Sequence, residues 1–489
     1  MNSYSMSTAR FAIPRIPTRS PIWGLIFLLT MATALLSGCS DGLTDLNVNP
    51  NAPERIDDPA LLMTRVTKSA GDLISNQGFE IGNLAGQYAA KQRFTAFELL
   101  QWEGNTGVWN GLYTLMRDAD LMAELGHPGY GAVADVIKGW AALMLTDMYG
   151  DVPFSQAVTA RTDGNFTPAY DRQEDIYPAI HALLEGANDR MAAGVSPVRG
   201  DIINNSDYGK WRRFANALRL RMYMRTSEVD PAGARAGIQA LLADPSRFPL
   251  PRSTADETRL QYLSGPPNSH PWSGSGRQIG FEVLRVSTPL FDILAGADDP
   301  RLEHWFVPVG EPAEIRPLAP GLNDANSRDV ISSTFNPAVF FQPTRPAHFL
   351  PYHEVAFILA EAAHRGWIDG DAPSLYREAL EAAFTFTGLE MPADFPDRPE
   401  IAYDGTLERI LTQKWVSLVD FEFQGWHDWV RTGYPSFIAP GPDAVLSAYP
   451  RRFEYPTAEQ ALNQRSWSEA VGRMGGEDSL LGRKWWDAR

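Results

Sequence analysis

The chain has 489 residues and a formal net charge of −16, with 43 Lys and Arg against 59 Asp and Glu. That acidity, with no basic run longer than pairs such as Arg212-Arg213 and Arg451-Arg452, excludes a general nucleic-acid binder, which needs clustered cations against phosphate. A single cysteine excludes a disulfide framework and any Cys-x-x-Cys metal, haem or redox site, and 44% hydrophobic with 21% charged residues excludes disorder over most of the length.

The N-terminus reads as a secretion signal. Arg10, Arg15 and Arg19 precede a 15-residue apolar stretch, Ile22 to Leu36, and no acidic residue occurs before Asp41. The stretch is too short and too one-sided to favour a spanning helix. It leads into Leu36-Ser37-Gly38-Cys39, which resembles the bacterial lipobox, where small residues fit the signal-peptidase site and the thiol accepts diacylglycerol. Residues 1–38 are therefore expected to be removed, Cys39 to be lipidated, and 39–58 to form a tether ahead of one domain over 59–489. Losing the three leader arginines leaves 40 basic and 59 acidic residues, a net charge of −19. Several acyl chains, at about 0.8 kcal/mol per buried methylene, would hold that N-terminus on a membrane surface.

Beyond the tether the apolar residues recur at helical spacing. Val133, Val136, Ile137, Trp140, Met144 and Met148 form one stripe, Ile176, Ile180, Leu184, Ala187 and Met191 a second, and Trp211, Phe214, Ala215, Leu218 and Met222 a third. Further stripes run from Tyr352 to Ala362, from Leu375 to a C-terminal cap at Gly388, and from Leu407 to Leu418. The spacing predicts helix pairs over roughly 107–149, 172–227, 352–388 and from 404 onward. No fixed repeat period is visible. Residues 228–350 are instead punctuated by Pro and Gly, a loop-rich insertion of the kind that carries function on a rigid scaffold. The tail from Pro440 is similar.

Signals for catalysis and metals are weak. Glu124-x-x-His127 and Glu361-x-x-His364 have the spacing that di-iron bundles use, but His127 directly precedes Pro128-Gly129, where a helix must end. His353-Glu354 lacks the second His of a zincin, and neither a nucleophile elbow nor a phosphate-binding Gly-rich loop occurs. No catalytic residue, metal or cofactor is expected. Arg219, Arg221 and Arg225 are expected to pair with carboxylates such as Glu354 and Glu361, which lie seven residues apart and so face the same way.

An ordered series of motifs then points to a family. Asp147-Met148-Tyr149-Gly150-Asp151-Val152-Pro153-Phe154 stands with Asp45-Leu46-Asn47-Val48-Asn49-Pro50, Trp211-Arg212-Arg213-Phe214-Ala215-Asn216-Ala217-Leu218-Arg219, Asp299-Pro300-Arg301-Leu302, Gln413-Lys414-Trp415, Trp426-His427-Asp428-Trp429-Val430-Arg431 and Trp485-Trp486-Asp487. In that order they resemble the SusD/RagB outer-membrane nutrient-binding lipoproteins, over nearly the whole mature chain. One departure is Val430-Arg431, where many relatives show two arginines. The resemblance implies a mostly α-helical SusD-like fold of four tetratricopeptide-type helix-turn-helix units with a loop-rich insertion. It also implies a non-catalytic surface lipoprotein of the outer membrane that captures an oligosaccharide or peptide and hands it to a SusC-like TonB-dependent transporter. A lipid-anchored glycoside hydrolase and a helical-repeat scaffold for protein partners are the rival readings.

Aromatic residues off the helical stripes are the candidate ligand contacts. Trp102 lies in the segment 93–106, and Tyr262, His270, Trp272 and Arg277 lie in the insertion among Gly, Ser, Asn and Pro. An exposed indole covering on the order of 80 Å² of a sugar ring contributes about 2 kcal/mol, and Asn268 with Arg277 would supply oriented donors. Trp102 and Trp272 are expected to be exposed and to share one capture surface.

Overall fold

The computed structural model describes residues 57–273 and 282–489. The expected leader, Cys39, most of the tether and Arg277 lie outside the described residues. Helix α1 (Pro59–Gln77) starts where the Asp58 carboxylate accepts a hydrogen bond from the Ala60 amide at 2.9 Å and Pro59 fills the first helical position. Its buried face mixes Leu62, Met63, Val66, Ala70 and Ile74 with Thr67, Gly71 and Ser75. Those small and polar residues dilute the apolar stripe, which is why periodicity alone did not reveal this helix.

The four pairs expected from sequence follow in order. They are α2 (Thr106–Leu125) with α3 (Pro128–Tyr149), α4 (Gln173–Ala192) with α5 (Tyr208–Arg225), α8 (Tyr352–His364) with α9 (Ala372–Thr387), and α10 (Leu407–Ser417) with α11 (Gln424–Thr432). Between the second and third pairs run α6 (Pro231–Ala243) and α7 (Thr288–Gly296), and α12 (Thr457–Leu462) and α13 (Gln464–Arg473) occupy the tail. The members of each pair pack on one another, α1 packs on α2, α3 on α4, and α8 on both α5 and α10. The described residues are mostly helical, as expected.

Side-chain caps set the boundaries. Asn105, Asp207, Asp371 and Thr406 each accept a backbone N–H at the start of α2, α5, α9 and α10. His127 does the same for α3, its Nδ1 accepting from the Gly129 amide at 3.1 Å. Gly388, with φ of 74°, ends α9 as its sequence position suggested. Gly82 matters for a different reason. A Cβ there would lie 1.9 Å from the Glu422 carbonyl oxygen, so this glycine lets the chain after α1 press against the entry to α11.

The insertion over 228–350 is less irregular than its Pro and Gly content suggests, because α6 is a regular helix docked on α5. Of two short antiparallel ladders, one then sews it to the scaffold and the other closes it on itself. Strand β1 (Ala89–Lys91) pairs with β3 (Leu284–Val286), with Ala89 opposite Val286, and β2 (Arg259–Leu260) pairs with β4 (Ala347–His348), with Arg259 opposite His348.

The core between α5, α8, α10 and α11 is held by buried ions. Glu354 accepts from Arg221 Nε at 2.7 Å and Nη2 at 2.6 Å, and Glu361 accepts from Arg431 at 2.6 and 2.8 Å. Asp428 adds contacts to Lys414 at 2.7 Å and to Arg431 at 3.2 Å. Arg219 pairs instead with Glu185 at 2.6 Å, and Arg225 donates to Gln424 at 2.6 Å. Burial alone would raise Glu361, but the guanidinium of Arg431, with help from Arg365 and Lys414, holds its carboxyl below the usual range. The Glu-x-x-His pairs are absorbed in the same way: Glu361 is committed to arginines, His364 Nδ1 lies 2.9 Å from the Tyr403 hydroxyl, and Glu124 pairs with Arg161. The C-terminus closes on α3, where Trp486 Nε1 donates to Asp147 at 3.0 Å and Lys484 Nζ sits 4.3 Å from the Trp486 ring centroid.

Glu361→Ala leaves the fully buried Arg431 without its main counter-ion, so we expect a loss of about 3–5 kcal/mol in unfolding free energy, measured by denaturant titration. A loss below about 1 kcal/mol would show that the pair contributes little.

Candidate functional site

The aromatic residues singled out from sequence are packing residues. Trp102 is 4% exposed, stacked on Phe97 with ring centroids 4.4 Å apart and on Phe453 at 4.9 Å, and its Nε1 donates to the Phe97 carbonyl at 2.8 Å. Trp272 is 1% exposed, lies 5.0 Å from Phe79, and donates from Nε1 to the Ser75 carbonyl at 3.0 Å. The expectation that both present a ring face to solvent is corrected: each indole N–H found a carbonyl within the protein, and the apolar ring followed it inside. Nor do the two share a surface, since Trp102 joins the cluster of Trp426, Tyr449 and Phe453 while Trp272 packs on the end of α1.

Tyr262 and His270 belong with Trp272. The Tyr262 hydroxyl donates to Asp72 at 2.9 Å, its ring lies 5.2 Å from His270, and His270 Nδ1 accepts from the Trp272 amide at 3.2 Å. Burial pushes His270 down to about 3, so the ring is neutral at physiological pH. Asn268 alone among the described candidates is exposed, on a turn in which its amide donates to the Gly265 carbonyl at 3.0 Å.

The two regions named from sequence nevertheless meet, through other residues. The loop after β1 runs along 92–100 and is strapped to residues 321–331 of the insertion. The Asp324 carboxylate accepts from the Phe94 amide at 3.2 Å, the Thr95 amide at 3.0 Å and the Thr95 hydroxyl at 2.9 Å. Those bonds, led by the one from the Thr95 amide, hold Asp324 below its ordinary range. Gln92 Nε2 donates to the Val330 carbonyl at 2.8 Å, and the Ser327 hydroxyl donates to the Gln92 carbonyl at 3.0 Å. A third segment locks on beside them: Asp443 accepts from the Asn323 amide at 2.9 Å and Asn326 Nδ2 at 2.7 Å, and the Val445 amide donates to the Leu99 carbonyl at 2.9 Å.

This three-segment junction carries exposed apolar side chains on each strand of chain. Phe94 is 64% exposed, Ile331 62% and Val445 58%. Phe94 also holds φ of 62° and ψ of 48°, a left-handed conformation that costs a bulky residue on the order of 1–3 kcal/mol. The Asp324 bonds stabilise that turn, and its result is to turn a phenyl ring outward. Arg93 and Arg328 are exposed on the same two segments. Such a surface offers an apolar ring and flanking donors, the requirements for a sugar ring face and its hydroxyls. Sequence reading missed Phe94 because indoles drew the attention. The available signal was Arg93-Phe94-Thr95 directly after a short strand, within the segment already chosen.

Beneath the junction Glu98 is buried and accepts from the amides of Lys91, on β1, and Gly321, on the insertion, the latter at 3.4 Å. Burial pushes its carboxyl up to about 8, against the pull of those two N–H groups and of the Lys91 ammonium.

Sequence and structure comparisons agree on one family. A family described as starch-binding and associating with the outer membrane matches residues 50–456. No curated protein sequence matches the chain. Among solved structures, a chitin-binding protein is 26% identical over 89% of this chain and 100% of its own, with a TM-score of 0.75. An outer membrane protein of Bacteroides vulgatus linked to nutrient binding is 27% identical over 88% and 100%, with a TM-score of 0.77. A chitin-binding SusD homologue of Flavobacterium johnsoniae, 23% identical over 87% and 99% with a TM-score of 0.74, has the same fold.

Two predictions follow from these placements. Trp102→Ala and Trp272→Ala each remove a buried indole and should cost about 3–5 kcal/mol of stability, read as a fall in Tm; an unchanged Tm would mean the rings do not pack as described. For Glu98, the folded protein holds a proton that the unfolded chain loses above its ordinary pKa of 4.5, so stability falls as pH rises from about 5 to 8 and levels off beyond. Glu98→Gln should flatten that slope in a series of melts across this range, and an unchanged slope would assign it to other groups.

Proposed function

We propose that this chain, which belongs to the SusD-like family of starch-binding proteins associated with the outer membrane, captures oligosaccharides at the junction of the 92–100 loop with the insertion. The observation that carries the reading is Phe94: a strained residue in a turn held to Asp324 by its own amide and by the amide and hydroxyl of Thr95, with most of its ring open to solvent. Backbone strain of this kind persists where the surroundings over-determine it, and it gathers at binding sites. Hydrogen bonds strap the three segments of the junction together, so less of the binding energy goes into ordering the protein.

The remaining parts of the reading concern delivery. Cys39 is lipidated and anchors the mature chain at the cell surface, and the captured ligand passes to a SusC-like TonB-dependent transporter. The protein works by binding and release and is not an enzyme. Its ionic pairs and Glu-x-x-His spacings are committed to packing, which supports a role without chemistry. Peptide is the second ligand class that the family resemblance allows.

The direct measurement is calorimetric titration of maltohexaose and chitohexaose into the wild type and Phe94→Ala. Loss of one ring-face contact should weaken binding by about tenfold with little change in Tm, since every 1.4 kcal/mol is a decade. Unchanged affinity in the variant would move the capture surface away from Phe94.

A further inference from the structure

A second concave surface lies on the scaffold, away from the three segments just described. Its floor is the outer face of α2, one wall is the segment 153–168 that follows α3, and the other is α12 with the residue after it. The groove encloses about 710 Å³, inside the range of small-ligand sites. We propose that it is a second binding site for a neutral oligosaccharide, formed by the helical scaffold itself.

The apolar part of the lining suits sugar faces. Trp109, itself only 4% exposed, backs the floor and meets Tyr113, one turn on along α2, edge to face with centroids 5.1 Å apart; the Tyr113 hydroxyl donates to the Pro153 carbonyl at 2.8 Å, which fixes that half-buried ring at the floor. Two large apolar side chains form lips on opposite walls, Phe166 at 79% exposed and Leu462 at 76%. A single exposed apolar residue is ordinary on a protein surface. Here the two most exposed large hydrophobic side chains of the described residues border the same groove.

The polar part sets the ligand's charge and its hydrogen-bonding sense. Both arginines on the rim have carboxylate partners, Arg161 in Glu124 at 2.5 Å and Arg117 in Asp118 at 2.8 Å, which Arg65 shares at 3.0 Å, so neither is a bare cation. Asn463, 4% exposed, donates from Nδ2 to the Pro168 carbonyl at 2.8 Å, while its Oδ1 is buried at the groove wall with no hydrogen-bond partner. An orphaned buried acceptor costs free energy unless a donor reaches it. Beside it Glu459, held through Oε2 by the Tyr170 hydroxyl at 2.7 Å, is a further acceptor. A ligand with outward hydroxyl donors and flat C–H faces matches this lining, and a saccharide has both.

Although it extends the capture reading to a second surface, this proposal stands on its own lining and fails separately. The test uses the full chain with a panel of neutral hexaoses, of glucose, mannose, xylose and N-acetylglucosamine, in both linkage senses where available. Calorimetry is run on the wild type, Phe166→Ala, Phe94→Ala and the double variant, with hydrogen–deuterium exchange at saturating ligand. We expect at least one hexaose to bind at two sites per chain, Phe166→Ala to weaken one of them by about tenfold without changing Tm, and exchange to slow over 157–168 and 457–463. Binding that Phe94→Ala alone weakens, with no protection in those segments, overturns the groove and leaves the loop site standing. The converse overturns the loop site and leaves the groove. No binding by any hexaose at millimolar concentration overturns both as saccharide sites.

Discussion

Two glutamates on one helix hold this molecule together. Glu354 and Glu361 lie seven residues apart on α8, both with side chains almost wholly buried, and each receives a two-pronged arginine from a different helix, Arg221 from α5 and Arg431 from α11. A carboxylate in such surroundings is tolerable only with its partner in place, because an unpaired buried charge costs several kcal/mol. The helix pairs are therefore fixed in angle and register as well as packed: moving α5 or α11 by a turn would leave a bare ion. Apolar contacts such as those of Phe357 with Tyr376 and Leu380 supply the bulk of the burial, but they would accept many arrangements. The ion pairs select one.

The same logic explains what could be read from the sequence. Helical periodicity located the four pairs, and the charge pattern on α5 and α8 indicated that arginines and glutamates would meet, though the specific partners needed the fold. Glu361 turned out to face Arg431, more than two hundred residues from the arginines of α5, and Arg219 found Glu185 on α4 instead. Where an element mixes its apolar face with Thr, Gly and Ser, as α1 does, periodicity is silent. Where an element follows a stretch of turns, as α6 does, composition misleads.

The candidate site was legible only at the level of segments. Both the 93–106 stretch and the insertion meet at the junction, yet the aromatic residues chosen within them, Trp102, Tyr262, His270 and Trp272, are buried. Tryptophan has the largest apolar surface and one donor, so inside a protein of this size it is drawn to any carbonyl that a core can offer, as Trp102 and Trp272 were. Phe94 is outward because its backbone is forced there by Asp324, a partner 230 residues away. No local pattern carries that information. A long-range hydrogen bond that dictates a φ angle can be seen only once both ends are in place.

The closing turn of the chain has a consequence for how the protein is made. Trp486 and Lys484, among the last residues, complete the end of α3 by reaching Asp147 and the rings beside it, and Asp487 pairs with Arg451. An early helix thus waits for the final stretch of polypeptide before its polar end is satisfied. Contacts of such sequence separation form slowly, since the loop between them must be closed before they return anything. The polar end of α3 is therefore completed only once residues 484–487 have been made, more than three hundred residues after Asp147.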